Sequence, residues 1–353
     1  MSLVTDAPVT ASRREGPGPT AGLVWLTWRQ HRSAIIGTLV LAAVVAGWMT
    51  YLSIEMTDLW HQCHNLRCPD YSPQDLRLSA RPFGLFRQAS YAERLVQYMP
   101  LLVGMFIGVP VLSREHEQRT LLLAWSQDIS PARWLWTRIG LLALFVAAVT
   151  GVVAGVSDHL EHVGTRVGQE DLFRYEAVLA TGWLPVMISA CWFAVGVALG
   201  AALRRTLPAV FGVIGGFIGL MLFVQARFPT LRRPLGAYRQ IDAPVDDLLR
   251  DNALLVSGGI IRTGAGDQPS GLFDASRHPL TSGELERLCP SSVDVQADLS
   301  CFADHHLQRY LQYQPGSRIP EFHLILGTGY LALAVVALLS VWLLVRRTNL
   351  TAG

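Results

Sequence analysis

The sequence contains no lysine, so all 29 of its basic side chains are arginines. A P-loop needs a lysine to bridge the terminal phosphates of a nucleotide, beside the backbone amides that cradle them. The chain therefore cannot contain this kind of nucleotide-hydrolysing site. Its formal net charge is only +2, which gives no basis for nucleic-acid binding.

Charged residues are also scarce. They make up 16% of the chain, against roughly 25% in soluble domains, while hydrophobic residues make up 51%. The apolar residues are gathered into long runs and do not recur at the spacing of a half-buried strand or a surface helix. This composition indicates a protein that lies in a lipid bilayer.

Six intervals between charged residues are long and apolar enough for a helix that crosses a bilayer, which needs about 20 residues. The third of these intervals runs from Arg138 to Asp158, and the only histidine inside any of the six is His323, at the edge of the sixth. Since a buried charge would mark a proton or ion pathway, its absence argues against one. The predicted transmembrane helices lie at about residues 34–54, 96–113, 134–157, 178–203, 206–226 and 322–345.

The distribution of arginine predicts the orientation. Only Arg204 and Arg205 separate the fourth and fifth helices, so this cationic turn should face the cytoplasm. The inner side then holds 12 of the 29 arginines but only 5 of the 27 acidic residues. We therefore predict a multi-pass plasma-membrane protein with both termini cytoplasmic. Its inner segments are a disordered tail (1–20) with residues 21–33, the loop around 114–133, the Arg204 turn and the end at 346–353.

Residues 21–33 precede the first predicted crossing. Trp25 and Trp28 lie one helical turn apart, and Arg29 and Arg32 follow them. Indole rings at headgroup level with guanidinium groups toward anionic lipid are typical of an interfacial helix, which is the predicted element. The alternative is that this segment is the cytoplasmic start of the first transmembrane helix.

Residues 227–321 form the one candidate for a separate folded unit. They should be a small, helix-biased extracellular domain, and Thr281 with Glu284 is a capping-box pattern at the start of a helix. The fold class is therefore predicted to be an all-α integral membrane protein with a disulfide-stapled outer domain between its fifth and sixth helices.

The cysteines agree with this topology, because Cys191 falls in the fourth helix and the other four fall on the predicted outer side. An even number of cysteines in an oxidising compartment predicts two disulfides. Of the three possible pairings, the local one is preferred: Cys63 with Cys68 and Cys289 with Cys301.

Two groups of side chains could bind a metal, and a third group could form the active site of an enzyme. The spacing of His61, Cys63, His64 and Cys68 matches no standard zinc pattern, and acids beside a His-x-x-His pair usually form a polar helix end. No zincin or Gly-x-Ser-x-Gly sequence is present. We predict neither a metal site nor an enzyme. The alternatives are a metal at Asp158, His159, Glu161 and His162, or a membrane-anchored enzyme using Asp304, His305 and His306.

The most informative stretch is the inner loop at residues 108–140. A charged turn at Arg114–Arg119 is followed by an apolar segment at Leu121–Trp125, and Ser130 with Pro131 suits the start of the next helix. This pattern predicts a short amphipathic helix at the inner membrane face, with a charged front available to a soluble partner.

This loop resembles the inner loop in permease subunits of ABC-2 type exporters, especially actinobacterial ones. In that family the loop sequence is approximately aREyEqGTxxLAWTQSvSRxRW. Arg119 stands where that family has glycine, and Pro131 where it often has arginine. The stretches at 27–32 and 313–323 resemble the family more weakly. The matching residues are Arg114, Glu115, Glu117, Thr120, Leu123, Ala124, Trp125, Gln127, Ser130, Arg133 and Trp134.

The resemblance implies that the loop carries a coupling helix, which inserts into a cleft of a separate ATPase subunit. ATP and Mg would then be bound by that partner, with no cofactor in this chain. Six helices are half the usual pathway, so a second permease copy or a paralogue is expected. Independently of the resemblance, the lack of charged residues in the apolar windows suits an apolar or amphipathic cargo. The alternative is a membrane sensor or accessory protein without transport activity. The implied coupling residues are Arg114, Glu115, Glu117, Arg119 and Thr120.

Small residues recur along the fifth helix, where they allow close approach of another helix. The two overlapping Gly-x-x-x-Gly patterns there predict a helix-packing or dimer face, although ordinary packing within the subunit explains them as well. The residues are Gly212, Gly215, Gly216 and Gly219.

Overall fold

The structure, a computed structural model, describes residues 19–62, 76–117, 131–167, 173–231, 238–241, 254–257, 269–291 and 295–350. The predictions for Cys63, Cys68, Arg119 and Thr120 lie outside these ranges, as do those for residues 1–18 and 351–353.

Helices dominate the described chain, and six are long and apolar enough to cross a membrane, as predicted. In chain order the first part comprises α1 (Pro19–Gln62), α2 (Leu76–Val103), a π-helical turn (Gly104–Gly108), α3 (Pro110–Glu117), α4 (Pro131–Val167), α5 (Tyr175–Ala180), α6 (Leu184–Leu203) and α7 (Thr206–Leu231). The second part comprises β1 (Tyr238–Ile241), β2 (Leu254–Ser257), β3 (Pro269–Phe273), β4 (Pro279–Thr281), α8 (Ser282–Leu288), α9 (Val295–Asp304), β5 (Gln308–Gln314), a 3₁₀ turn (Gly316–Arg318) and α10 (Ile319–Leu350).

The N-terminal segment is not a separate interfacial helix. α1 runs unbroken from Pro19 to Gln62, so residues 21–33 are the start of the first spanning helix. No proline or glycine stands between Trp25 and Ala34 to interrupt the backbone hydrogen bonds. Trp25 and Trp28 are 59% and 48% exposed on this first part of α1.

The predicted fourth helix, 178–203, is broken into two. α5 ends at Ala180 and α6 begins at Leu184, because Gly182 adopts a φ of +61° that a helix cannot continue through. A side chain at Gly182 would also collide with the ring of His323, since a Cβ there would lie 2.6 Å from its Nδ1. The break therefore makes room for a histidine of α10.

The bundle has two chemically different ends. We call one end the terminal side, where α1, α4 and α7 begin and α3 and α10 end. It is held by an apolar cluster that includes Ile35, Leu112, Leu142 and Val341. The opposite end, where α7 ends and α10 begins, is the domain side. There Phe228 packs edge-on against Phe322, with ring centroids 5.4 Å apart.

α6 lies at the centre of the bundle and packs closely against the π-helical turn. A Cβ at Gly108 would lie 2.6 Å from the Phe193 carbonyl oxygen, and one at Gly200 would lie 2.5 Å from that of Val109. A Cβ at Gly196 would collide with the carbonyl oxygen of Gly104. These glycines, which the sequence analysis did not select, let two backbones touch.

The segment after α7 corrects the all-α prediction and the helix bias expected of the outer domain. β5 pairs antiparallel with β1, β2 and β3, and β3 pairs with β4, while only α8 and α9 are helical between α7 and the 3₁₀ turn in the described residues. The strands are short, three to seven residues each, so their alternation is a weak signal.

Two local predictions for this domain are confirmed. Thr281 caps α8 in a capping box, where its hydroxyl accepts from the Glu284 N–H and its own N–H donates to the Glu284 carboxylate. Cys289 and Cys301 form a disulfide, with Cα atoms 5.9 Å apart, next to the buried side chains of Leu272, Leu280 and Leu285.

Replacing Gly196 with alanine tests the close approach of α6 to the π-helical turn. The added methyl group has no room, and overpacking of this kind costs about 1–3 kcal/mol, so the thermal midpoint of the purified protein in detergent should fall by several degrees. Gly140→Ala is the matched control, because a Cβ there meets nothing within 4 Å. Equal midpoints for the two variants would contradict the packing.

Candidate functional site

The chain enters the predicted coupling loop from α3, and α3 contacts α7 at the terminal side. Ser113 bonds to the Val109 carbonyl oxygen at 2.9 Å, and its hydroxyl lies 3.0 Å from that of Thr206, at the start of α7. α3 therefore begins its path to the loop in contact with another spanning helix, and it carries Arg114, Glu115 and Glu117.

Glu115 is buried in an ion pair that joins three helices. Arg138 of α4 donates from Nη1 to the Glu115 carboxylate at 2.7 Å and from Nη2 to Nε2 of His31, on α1, at 2.8 Å. Because a guanidinium group has no acceptor, His31 must accept through Nε2. The three residues are only 6%, 5% and 2% exposed.

Glu117 is exposed, but its carboxylate also accepts hydrogen bonds from within the chain. Its carboxylate accepts the backbone N–H of Thr206 at 2.7 Å and the hydroxyl of the same residue at 3.1 Å. The backbone bond is the largest of the influences that lower the pKa of Glu117, ahead of the hydroxyl bond and the charges of Arg114 and Arg205. The carboxylate thus lies at the positive N-terminal end of α7 and ties α3 to that helix.

These contacts correct part of the predicted partner surface. Glu115 is buried in its ion pair with Arg138, and both carboxylate oxygens of Glu117 accept hydrogen bonds from Thr206. Arg114 is exposed. Arg119 and Thr120 lie outside the described ranges.

A groove of about 560 Å³ runs beside this segment between α1, α2, α3 and α7. Arg114, Ser33 and Thr206 lie at its polar end, whereas its deeper walls are apolar and include Leu41 and Leu102. The groove is therefore amphipathic along its length, and its polar end adjoins the start of the predicted coupling loop.

A second charged group, at the domain side, was missed by the sequence analysis. Arg174 donates from Nη2 to Glu161 at 2.8 Å and to Glu93 at 3.4 Å, and from Nη1 to Ser90 at 3.0 Å. The charge-free windows stopped at Arg94 and Asp158, so both glutamates fell outside them, although α2 and α4 continue past those limits. One signal was available: Ala89, Ala92 and Val96 lie on the same buried helix face as Glu93.

A cleft of about 450 Å³ opens next to this group. Asp158, His159, Glu161 and His162 line it, all from the last part of α4, together with Thr181 and Ile319. These four potential ligands do not converge on a metal site. In the described ranges, the one group of three close ligand atoms is Cys289, Cys301 and His305, and its two cysteines are already bonded to each other.

The four glycines predicted to form a packing face on α7 fall into two pairs with different surroundings. Cβ atoms at Gly212 and Gly216 would contact Leu199 at 3.2 Å and Trp192 at 3.4 Å, both on α6. Those at Gly215 and Gly219 would meet nothing within 4 Å. The first pair therefore packs within the subunit, and the second faces outward.

Two family models match the chain. One is described as ABC-2 membrane transporter related and covers residues 39–228; the other, a domain of unknown function (DUF8319), covers residues 230–319. The junction between them falls near the end of α7, where the spanning helices give way to the β-sheet. No curated protein and no solved structure matches the chain.

Replacing Glu115 with glutamine tests the buried ion pair. Removing one partner leaves the Arg138 charge uncompensated, which costs about 3–5 kcal/mol, so the free energy of unfolding should fall strongly. The double variant with Arg138→Gln should lose less than the two single losses combined, as measured in a double-mutant cycle. Glu117→Gln, on the exposed acid, should have the smaller effect. Additive losses would contradict the pairing.

Proposed function

Because the chain belongs to the ABC-2 membrane transporter related family, we propose that it is the membrane-spanning permease subunit of an ATP-driven exporter. The family model covers the first five spanning helices almost completely. Without lysine the chain cannot form a P-loop, so ATP and Mg are bound by a separate ATPase subunit. The permease supplies the path and the ATPase supplies the energy.

The terminal side faces the cytoplasm in this proposal. Its exposed arginines include Arg29, Arg32, Arg204 and Arg205, and the excess of arginine on short segments follows the rule that orients membrane proteins. The β-sheet domain, with its disulfide, then lies outside, in an oxidising compartment of the cell surface. This places the loop at 118–130 where a soluble ATPase can reach it.

The observation that carries the proposal is the way the base of this loop is anchored. Glu115 joins α3 to α4 and α1 through Arg138 and His31, and Glu117 joins α3 to α7. A displacement of the loop by a partner would therefore move three spanning helices together. Buried pairs suit this role because their strength depends steeply on geometry.

We assign different tasks to the predicted coupling residues. Arg114 is exposed and, with Arg119 and Thr120, is proposed to contact the ATPase. Glu115 and Glu117 transmit the movement and make no contact with the partner themselves. This division replaces the single contact surface that the sequence predicts.

A second copy of the chain, or a paralogue, is proposed to complete the pathway. α1 and α7 are the least buried of the spanning helices, and α7 exposes Leu207, Phe211 and Leu222 over much of their surface. Gly215 and Gly219 leave open space on the same helix. The amphipathic groove between α1 and α7 supports an apolar or amphipathic cargo that enters beside the coupling segment.

Copurification tests the assignment. The tagged chain, purified in mild detergent from its native host, should bring down a protein with a P-loop and ATPase activity. Arg114→Glu combined with Arg119→Glu should reduce the ATPase recovered severalfold, because both cations are on the proposed contact surface. Arg287→Glu, an exposed arginine of α8, is the matched control and should leave recovery unchanged.

Recovery of the ATPase at the parent level with both arginines reversed would contradict the contact surface. If no ATPase accompanies the unaltered chain, the exporter assignment fails and a membrane sensor without transport activity is favoured.

A further inference from the structure

Two glutamates from different spanning helices meet at one guanidinium group on the domain side. Glu93 lies on α2 and is 0% exposed, and Glu161 lies on α4 and is 4% exposed. The same nitrogen, Nη2 of Arg174, reaches both, at 3.4 Å and 2.8 Å. Because one nitrogen reaches both carboxyl groups, the two groups lie close together. This arrangement joins α2, α4 and the turn before α5.

The hydrogen bonds favour one neutral carboxyl group. Oε2 of Glu93 is buried and has no hydrogen-bond partner among the described residues, so an ionised Glu93 would leave an anionic oxygen without a donor. Its contact with Arg174 is the longer one, and Glu161 competes for the same nitrogen. An ionised carboxylate in such a place is costly, and two adjacent carboxylates cannot both ionise readily. A proton shared by the two carboxyl groups removes the conflict, because one group can then donate to the other.

We propose that Glu93 and Glu161 form a proton-binding site that holds one proton between them at neutral pH. In the protonated form one of the two carboxyl groups donates to the other, and Arg174 balances the single remaining negative charge. The cleft lined by Glu161 gives the site a route to the aqueous phase on the domain side. The proton-binding site does not depend on the ATPase assignment.

Other ionisable groups lie near the pair, and they also contribute to any pH-dependent signal from this end of the bundle. Arg94 of α2 pairs with Glu176 of α5 at 3.5 Å, and Arg166 of α4 lies over the Trp60 ring of α1. Further titratable or charged groups at the same end include Glu55, Asp58 and His61 of α1, Arg87 and Tyr91 of α2, Asp158, His159 and His162 of α4, Tyr175 of α5, Arg227 of α7, and Glu321 and His323 of α10.

Loss of the proton has a structural consequence. Two carboxylates would then face one guanidinium group, and their repulsion would act between α2 and α4. Rising pH should therefore loosen the domain side, whereas protonation holds these helices together. The site would make the domain-side end of the bundle sensitive to the pH of the compartment it faces.

Infrared spectroscopy of the purified protein in lipid nanodiscs tests the site directly. At neutral pH exposed Asp and Glu side chains are ionised. We expect the parent chain to keep a carbonyl band of a protonated carboxyl group, which shifts in D₂O and disappears at alkaline pH. Glu93→Gln should remove this band, and so should Glu161→Gln, because one acid with Arg174 needs no proton. Glu176→Gln, which alters a partly exposed acid nearby, should keep it.

Thermal unfolding gives a second readout. Glutamine resembles a protonated glutamate, so Glu93→Gln should fold with a midpoint close to that of the parent at neutral pH and above it at alkaline pH. Absence of the band in the parent, or its survival in both glutamine variants, would overturn the proposal. So would a large loss of stability in Glu93→Gln at every pH, because that is the result for an ionised pair.

Discussion

A buried ion pair at the terminal side, between Glu115 and Arg138, is the contact on which the proposed coupling of this bundle depends. Neither charge could remain in so apolar a place without the other, and His31 accepts the second arm of the guanidinium group. The pair stands where the chain leaves α3 for the loop and returns in α4. The base of the loop is consequently anchored to the terminal ends of α1 and α4, and a partner that moves it must move these two helices as well.

The domain side also contains an arginine that pairs with glutamate, but there the carboxylates outnumber the guanidinium group. Arg138 serves one carboxylate, whereas Arg174 serves two, Glu93 and Glu161. The charges of Arg138 and Glu115 cancel, whereas those around Arg174 cancel only when one of the two carboxyl groups is protonated. In a low-dielectric environment this difference matters more than the number of contacts, because an unbalanced buried charge changes which arrangement of the helices is favoured. One end of the bundle is thus suited to mechanical transmission and the other to regulation by protons.

Much of the membrane architecture could be predicted from the sequence, because bilayer thickness imposes a minimum length on apolar helices and arginine marks their ends. The same method missed Glu93 and Glu161, since it treated every charge as a boundary although both helices continue beyond it. It also assigned Glu115 to the surface, because the partner Arg138 is 23 positions away and no local pattern links them. The β-sheet escaped prediction for a related reason: β5 pairs with strands up to 75 positions earlier, from Tyr238 to Tyr313. Local features, such as the capping box at Thr281 and the disulfide of Cys289, were predicted correctly.

The central claim is that the loop between α3 and α4 lies on the side of the membrane where ATP is found. Single cysteines can be introduced at Ser126 in the loop and at Ala275 in the β-sheet domain, and intact cells can be treated with a membrane-impermeant thiol reagent. Labelling is measured relative to the parent chain. The account predicts labelling of the Ala275→Cys variant in intact cells and of the Ser126→Cys variant only after the membrane is permeabilised. Labelling of Ser126→Cys in intact cells, with Ala275→Cys protected, would contradict it.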